Sequence, residues 1–107
     1  MKNPSERRLL KIYVEKSDLW KGFPLYQAIA ETARTQDVAG ATIYAAGIFG
    51  YGCKSQAGRE VVPSLPMNSP VVIEIVDHPE KIEALIVKLK PMVGIEGLMT
   101  LSRVDIV

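Results

Sequence analysis

The sequence has few of the residues from which cross-linked, metal-binding or catalytic sites are built. Its 107 residues include one cysteine, one histidine and one tryptophan. A single cysteine excludes an internal disulfide and fits a reducing, cytoplasmic environment, and a lone Cys53 and a lone His78 do not make a metal site. His78 is the only histidine that could activate Cys53, and a whole predicted strand separates them. We therefore expect no catalytic site and no enzymatic activity.

The sequence also lacks a charge excess and a long hydrophobic run. Thirteen Lys and Arg residues face twelve Asp and Glu residues, so the net charge is +1 and a nucleic-acid partner is not expected. No apolar run approaches the roughly 18 residues of a membrane span, and the polar start MKNPSERR does not resemble a signal peptide. Hydrophobic residues make up 48% of the chain, which is enough to fill the core of a single domain over residues 1–107.

Hydrophobic periodicity predicts four strands and two helices. Apolar residues alternate in the strands and recur at helical spacing in the helices, as at Leu25, Ile29 and Ala33. Asp77 and Glu80 have the spacing of a capping box at the start of the second helix. The predicted elements are a strand at Leu9–Glu15, a loop at Ser17–Phe23, a helix from Pro24 to about Gln36, a strand at Ala41–Phe49, a loop at Cys53–Asn68, a strand at Pro70–Val76, a helix from Asp77 ending near Pro91 and Gly94, and a strand at Leu98–Val107.

The order β-α-β-β-α-β favours an α+β ferredoxin-like sandwich, in which two helices cover one face of a four-stranded antiparallel sheet. The other face would be bare in a monomer. The third strand is nevertheless apolar on both faces, with Val71, Ile73 and Ile75 on one face and Val72 and Val76 around Glu74 on the other. Exposed apolar patches of this kind indicate association, so we expect a closed homo-oligomer whose sheets face one another.

Two glycine-rich segments are candidates for a binding site. Gly50 and Gly52 follow the second strand, and Gly94 and Gly97 follow the second helix. Glycine lets a main chain approach a ligand closely and direct its N–H groups outward. The same glycines would also suit a strand bend or a helix C-cap, and both interpretations stay open.

The polar segment at about residues 53–66 contains two cations, Lys54 and Arg59. They could hold a phosphate or carboxylate beside exposed N–H groups, or they could simply be solvated. Trp20, Phe23 and Tyr26 surround the start of the first helix. They could staple the preceding loop onto the helix or onto a neighbouring subunit, or sandwich an adenine ring.

Four separated segments resemble, in order, the domain of unknown function 190 family within the PII signalling superfamily. They are KIYVEKSDLWKGFPLYQAI (Lys11–Ile29), AGATIYAAGIFGYG (Ala39–Gly52), LPMNSPVVIEIVDHPEKIEAL (Leu65–Leu85) and MVGIEGLMTLSRVDIV (Met92–Val107). The resemblance implies a PII-like homotrimer with a T-loop at about residues 53–66. It also implies that an adenine nucleotide, ADP, AMP or ATP, binds in clefts between subunits.

By the same resemblance, the base of the T-loop would contribute Gly50, Gly52 and Lys54 to each cleft, and the B-loop would contribute Gly94 and Gly97. PII B-loops carry a basic residue after the second glycine, whereas Leu98 stands there in this chain. The loop, with Lys54 and Arg59, would dock on a target such as a membrane transporter. Members of the family often accompany a fluoride-exporting channel, which is the partner that the resemblance suggests. The alternative is a structural trimer that binds a protein without any nucleotide.

Overall fold

The computed structural model describes residues 5–45, 69–94 and 97–107. Two helices and six strands lie in these ranges, in an order that matches the predicted pattern with one small hairpin added. The elements are β1 (Glu6–Glu15), β2 (Leu19–Trp20), β3 (Phe23–Pro24), α1 (Leu25–Thr35), β4 (Ala41–Ala45), β5 (Pro70–Asp77), α2 (Pro79–Val93) and β6 (Leu98–Asp105).

The four long strands form one sheet in the order β4-β5-β1-β6, and every neighbouring pair is antiparallel. This is the strand order of a ferredoxin-like sandwich, so the predicted fold class is confirmed. The register places Ile73 of β5 opposite both Ile12 of β1 and Ile43 of β4. Directly opposed residues share a face, so this row points toward the helices.

The core lies between the helices and the two central strands. Its largest side chains are at most 1% exposed, and burial of one such side chain contributes about 1.5–3 kcal/mol. They are Leu10, Ile12, Ile73 and Ile75 from the sheet and Ile29, Ile82, Leu85 and Leu89 from the helices. On the edge strands of the same face, Ile43 is 40% exposed and Leu101 is 49% exposed. The helices therefore cover β1 and β5 fully and the edges only in part.

Strand β1 begins three residues earlier than the hydrophobic alternation indicates. Glu6 pairs with Arg8 on its own strand and with Arg103 of β6, whose Nη2 lies 3.1 Å from Glu6 Oε1. Because these side chains satisfy one another at the edge of the sheet, the ladder continues through charged residues that alternation alone does not recognise as strand.

The predicted loop at Ser17–Phe23 contains a two-stranded hairpin, β2–β3, in which Trp20 faces Phe23. Its two turn residues have positive φ angles, 51° at Lys21 and 87° at Gly22. Two consecutive positive φ angles are typical of the tight turns that match strand twist. The hairpin directs an aromatic pair toward the start of α1.

The predicted capping box at the start of α2 is wrong. The helix begins at Pro79 with His78 as N-cap, and no side chain caps it. Asp77 is 6% exposed, and its carboxylate accepts hydrogen bonds from the main-chain N–H of Ala39 at 2.8 Å and of His78 at 2.7 Å. Asp77 thus ties the turn before β4 to the start of α2.

Lys81 strengthens the same connection, because its ammonium donates to the main-chain oxygen of Asp37 at 2.7 Å.

At its C-terminal end, α2 continues through Pro91 to Val93 before Gly94 ends it. Neither helix in the described ranges is long and apolar enough to cross a membrane.

Candidate ligand-binding site

The two predicted halves of the site leave the sheet at the same end. The residues before and after the long 46–68 segment are close, since Ala45 of β4 pairs with Val71 of β5. At that same end Tyr13 of β1 pairs with Leu98, the first residue of β6. The strand ends that flank residues 46–68 therefore lie at the same end of the sheet as the start of β6.

The described strands that lead to the two halves are not neighbours in the sheet. Strands β5 and β1 lie between β4 and β6, so three strand spacings of roughly 4.8 Å separate the edge strands by about 14 Å.

Four of the predicted site residues, Gly50, Gly52, Lys54 and Arg59, lie outside the described residues, and their roles remain predictions. Gly94 and Gly97 are described. Each has a conformational or packing reason to be glycine, which bears on how it could contact a ligand.

Gly94 ends α2 with φ 65° and ψ −159°, a region that is essentially restricted to glycine. Its N–H donates to the main-chain oxygen of Lys90 at 3.0 Å, and a Cβ built on it would meet nothing within 4 Å. The N–H of Gly94 is therefore already used by the helix end. A ligand could approach this position closely, but it would not receive that hydrogen bond.

Gly97 is glycine because its surroundings leave no room for a side chain. A Cβ there would lie 2.5 Å from Cγ1 of Val93 and 3.2 Å from the main-chain oxygen of Tyr13. The start of β6 consequently packs directly on the end of α2 and on β1. This close approach fixes the path of the chain that enters β6 from the predicted B-loop.

One cation at this end of the sheet was missed by the sequence analysis. Lys16 is exposed in the turn that follows β1, and its N–H donates to the main-chain oxygen of Ser69 at 2.8 Å, directly before β5. The signal was available, because the end of β1 and the start of β5 are neighbours in an antiparallel ferredoxin-like sheet. Lys16 is the described cation that lies beside the base of the predicted T-loop.

The sheet face that the helices do not cover carries an apolar row beside this end. The register aligns Tyr44, Val72, Tyr13 and Leu98 across all four strands. Val72 is only 3% exposed between the two tyrosines, whereas Tyr44 is 43% and Leu98 is 50% exposed. We call these four residues the open-face row.

The next row on the open face is polar. Glu74 accepts a hydrogen bond of 2.7 Å from the Tyr44 hydroxyl, and the Lys11 ammonium lies 3.9 Å from the same carboxylate oxygen. The hydrogen bond to Glu74, together with partial desolvation and the negative charge, raises the pKa of Tyr44 above its ordinary value. The open face therefore alternates between an apolar row and a polar row, and it is less uniformly apolar than predicted.

The described residues contain no cluster of three or more His, Cys, Asp or Glu side chains that could hold a metal ion. His78 is exposed at the N-cap of α2, and Cys53 lies outside the described residues.

Comparison with known families identifies the chain. The family model DUF190, described as "Uncharacterized ACR", matches residues 7–106. The chain belongs to this family. Among curated relatives, a UPF0166 protein of Aquifex aeolicus is 31% identical over 102 residues, covering 95% of this chain and 94% of the relative. A UPF0166 protein of Methanocaldococcus jannaschii is 34% identical over 95 residues, covering 89% and 86%.

Solved structures show that this DUF190 chain has a PII-like fold. CPII of Thiomonas intermedia, bound to ADP, AMP and acetate, superposes with a TM-score of 0.69 at 14% identity, covering 94% of this chain and 88% of CPII. The apo form of CPII, described as a nitrogen regulatory PII-like protein, gives a TM-score of 0.67 at 13% identity, covering 94% and 91%. The resemblance to PII proteins is confirmed at the level of the fold.

Proposed function

We propose that this DUF190 protein is a PII-like regulatory module that binds an adenine nucleotide between subunits of a homotrimer. The observation that carries the proposal is the position of two strand ends. Strand β4, which leads into the predicted T-loop, ends at the same end of the sheet at which β6 begins after Gly97, and these two edge strands lie about 14 Å apart in one chain. The same fold in CPII is found with ADP and AMP.

The open-face row supports the oligomeric part of the proposal. Half-exposed Tyr44 and Leu98 lie beside the candidate site, so joining sheets through this face would bury apolar surface and bring a second chain to the cleft. In that arrangement Gly50, Gly52, Lys54, Gly94 and Gly97 would surround the nucleotide. Lys16 would add a further cation for its phosphates.

Nucleotide binding would act through the loop at about residues 53–66. A ligand that contacts the base of this loop selects the loop conformations compatible with it. The selected conformation, with Lys54 and Arg59, would then dock on a cytoplasmic face of a membrane transporter, with a fluoride channel as the first candidate. The proposed mechanism is regulation by binding, without catalysis.

The direct test is calorimetric titration of the purified protein with ADP, AMP and ATP. We expect saturable binding of at least one nucleotide, with a weaker affinity in Gly52→Ala and Lys54→Ala. Lys88→Ala, which removes an exposed cation from α2, is the matched control and should bind as wild type does. Absence of heat with all three nucleotides, or an equal loss in Lys88→Ala, would contradict the proposal.

A second candidate function is a structural trimer that binds a protein constitutively and holds no nucleotide. The specific observation in its favour is that both described glycines have structural explanations, the helix end at Gly94 and the close packing at Gly97. In that case Lys54→Ala would weaken binding of the partner protein, and the calorimetric titrations would show no binding heat for any nucleotide.

A further inference from the structure

A groove of about 490 Å³ lies on the helical layer, and its lining residue Met92 stands two residues before Gly94. The β2–β3 hairpin forms one side, residues 27–32 of α1 form the floor, and Met92 in the last turn of α2 closes the far end. Ala28 and Thr32, one helical turn apart on α1, leave the space that the groove occupies.

Two aromatic side chains form the hairpin side of the groove. Trp20 packs against the core, whereas Phe23, directly opposite it in the hairpin, is 69% exposed. Main-chain hydrogen bonds anchor the hairpin to both neighbours, from Leu25 to Asp18 at 2.8 Å and from Asp18 to Glu15 at 3.0 Å. These hydrogen bonds hold in place the hairpin that carries Trp20 and Phe23.

The polar atoms on the α1 side of the groove are mainly hydrogen-bond acceptors. The Thr32 hydroxyl donates its only proton to the main-chain oxygen of Ala28 at 2.8 Å, so the hydroxyl oxygen can only accept a hydrogen bond from a ligand. The Gln27 amide nitrogen donates to the Tyr26 hydroxyl at 3.3 Å, and its carbonyl oxygen can accept. Glu31 adds a carboxylate, and the described residues that line the groove include no Lys, Arg or His.

The aromatic wall also attracts positive charge. The ammonium of Lys21 lies 5.4 Å from the centroid of the Trp20 ring, within the range of a cation–π interaction. Aromatic faces together with a carboxylate and further acceptors are complementary to an organic cation. They are not complementary to phosphate, which requires cations or free N–H groups.

We propose that this groove binds a small organic cation that carries several N–H donors on an apolar body, such as an alkylguanidine or alkylamine. The cationic end pairs with Glu31 and the acceptor oxygens of Gln27 and Thr32. The apolar body lies against Trp20, Phe23 and Met92. The ligand chemistry of the groove differs from that of the proposed nucleotide site, because the described lining offers acceptor atoms and a carboxylate.

Two cations of the chain compete with such a ligand. Arg34 pairs with Glu31 on the surface of α1, and Lys21 covers one face of Trp20. The hydrogen bond from Arg34 also lowers the pKa of Glu31, so the carboxylate stays negative at neutral pH. Removing the Lys21 ammonium should therefore strengthen ligand binding, whereas removing the Glu31 charge should weaken it.

The test uses n-butylguanidinium as probe, with n-butylurea as the neutral isostere and pentanoate as the anion. Trp20 is the only tryptophan, so intrinsic fluorescence reports on the groove directly. We expect a saturable fluorescence change with butylguanidinium and a much weaker response to the other two compounds.

Four variants sharpen the test. Glu31→Gln should weaken butylguanidinium binding by about two- to fivefold, because an exposed ion pair contributes little free energy to binding. Glu83→Gln makes the same charge change at an exposed position of α2 outside the groove and should have no effect. Ala28→Leu should abolish binding by filling the floor. Lys21→Asn removes the ammonium that covers Trp20 and should strengthen binding by about twofold. Asparagine is chosen because it tolerates the positive φ angle at this position.

Circular dichroism verifies that each variant is folded. If Ala28→Leu prevents folding, Thr32→Val is measured instead and should weaken binding, because it removes the hydroxyl oxygen that accepts from the cation. No saturable response up to tens of millimolar probe would overturn the proposal. Equal affinity for butylguanidinium and butylurea would also overturn it, as would unchanged binding in Glu31→Gln.

Discussion

The two faces of the sheet use the same strands for different purposes. On the helix face, Leu10, Ile12, Ile73 and Ile75 are at most 1% exposed and belong to one continuous core. On the open face, the open-face row leaves Tyr44 and Leu98 about half exposed beside a row of charges. The first face holds the buried side chains of the core. The second leaves apolar side chains exposed among the described residues.

The side chains that stabilise the folded chain are therefore different from those available for association with another chain. Changes on the helix face should lower the free energy of unfolding, whereas changes on the open face should alter association and leave each chain folded. The candidate nucleotide site lies where the two meet, because Gly97 packs on the core while Leu98 begins the open-face row.

The largest effect is expected on the helix face. Ile73→Ala removes a fully buried side chain from the centre of the sheet and should lower the free energy of unfolding by about 2–5 kcal/mol. Val76→Ala on the other face of the same strand is the matched control and should cost about 1 kcal/mol. Urea denaturation measures both, and equal losses would mean that the two faces do not differ as described.

The next effect concerns the junction of the faces. Gly97→Ala places a methyl group against Val93 and the Tyr13 carbonyl, and should cost about 1–3 kcal/mol. Gly40→Ala is the control, because a Cβ there meets nothing within 4 Å, and it should change stability by less than about 1 kcal/mol. A Gly97→Ala variant as stable as wild type would contradict the close packing.

Much of the fold could be predicted from the sequence, because its signals are local. The period of two in β1 and β5 and the spacing of Leu25, Ile29 and Ala33 define the core face directly. The predicted role of Asp77 failed because its partner, the N–H of Ala39, is distant in sequence. The hairpin was missed because two-residue strands are too short to show alternation.

An open-face substitution should change assembly more than stability. Leu98→Ser removes an exposed apolar side chain from the open-face row, and we expect it to weaken subunit association by about 1–2 kcal/mol. Leu101→Ser is a close control on the same strand, because Leu101 has the same exposure but faces the helices. Concentration-dependent light scattering should distinguish them, and identical behaviour would argue against an interface on the open face.

The smallest effect is the pH dependence of the Tyr44–Glu74 hydrogen bond. Because the folded state raises the pKa of Tyr44, this bond contributes stability below the ordinary tyrosine pKa of about 10 and loses it as pH rises through the higher folded-state value. Melting temperatures of wild type and Tyr44→Phe should therefore differ at neutral pH and converge at strongly alkaline pH. Tyr26→Phe is the control, and a difference that persists at every pH would contradict this assignment.

The candidate site was less predictable than the fold. The glycines at 94 and 97 stand out in the sequence, but the reasons for them are a backbone angle and a packing distance that no local pattern specifies. Lys16 could have been identified, because the predicted sheet already makes the end of β1 a neighbour of the start of β5. The groove beside Trp20 combines three elements, and only Trp20 and Phe23 gave a signal in the sequence.

Sedimentation equilibrium of the purified chain tests the central claim most directly, because both the proposed cleft and the open-face interface require more than one subunit. The account predicts a species of three chain masses at micromolar concentration that Leu98→Ser dissociates more readily than Leu101→Ser does. A single chain mass at every concentration, with or without ADP, would contradict it.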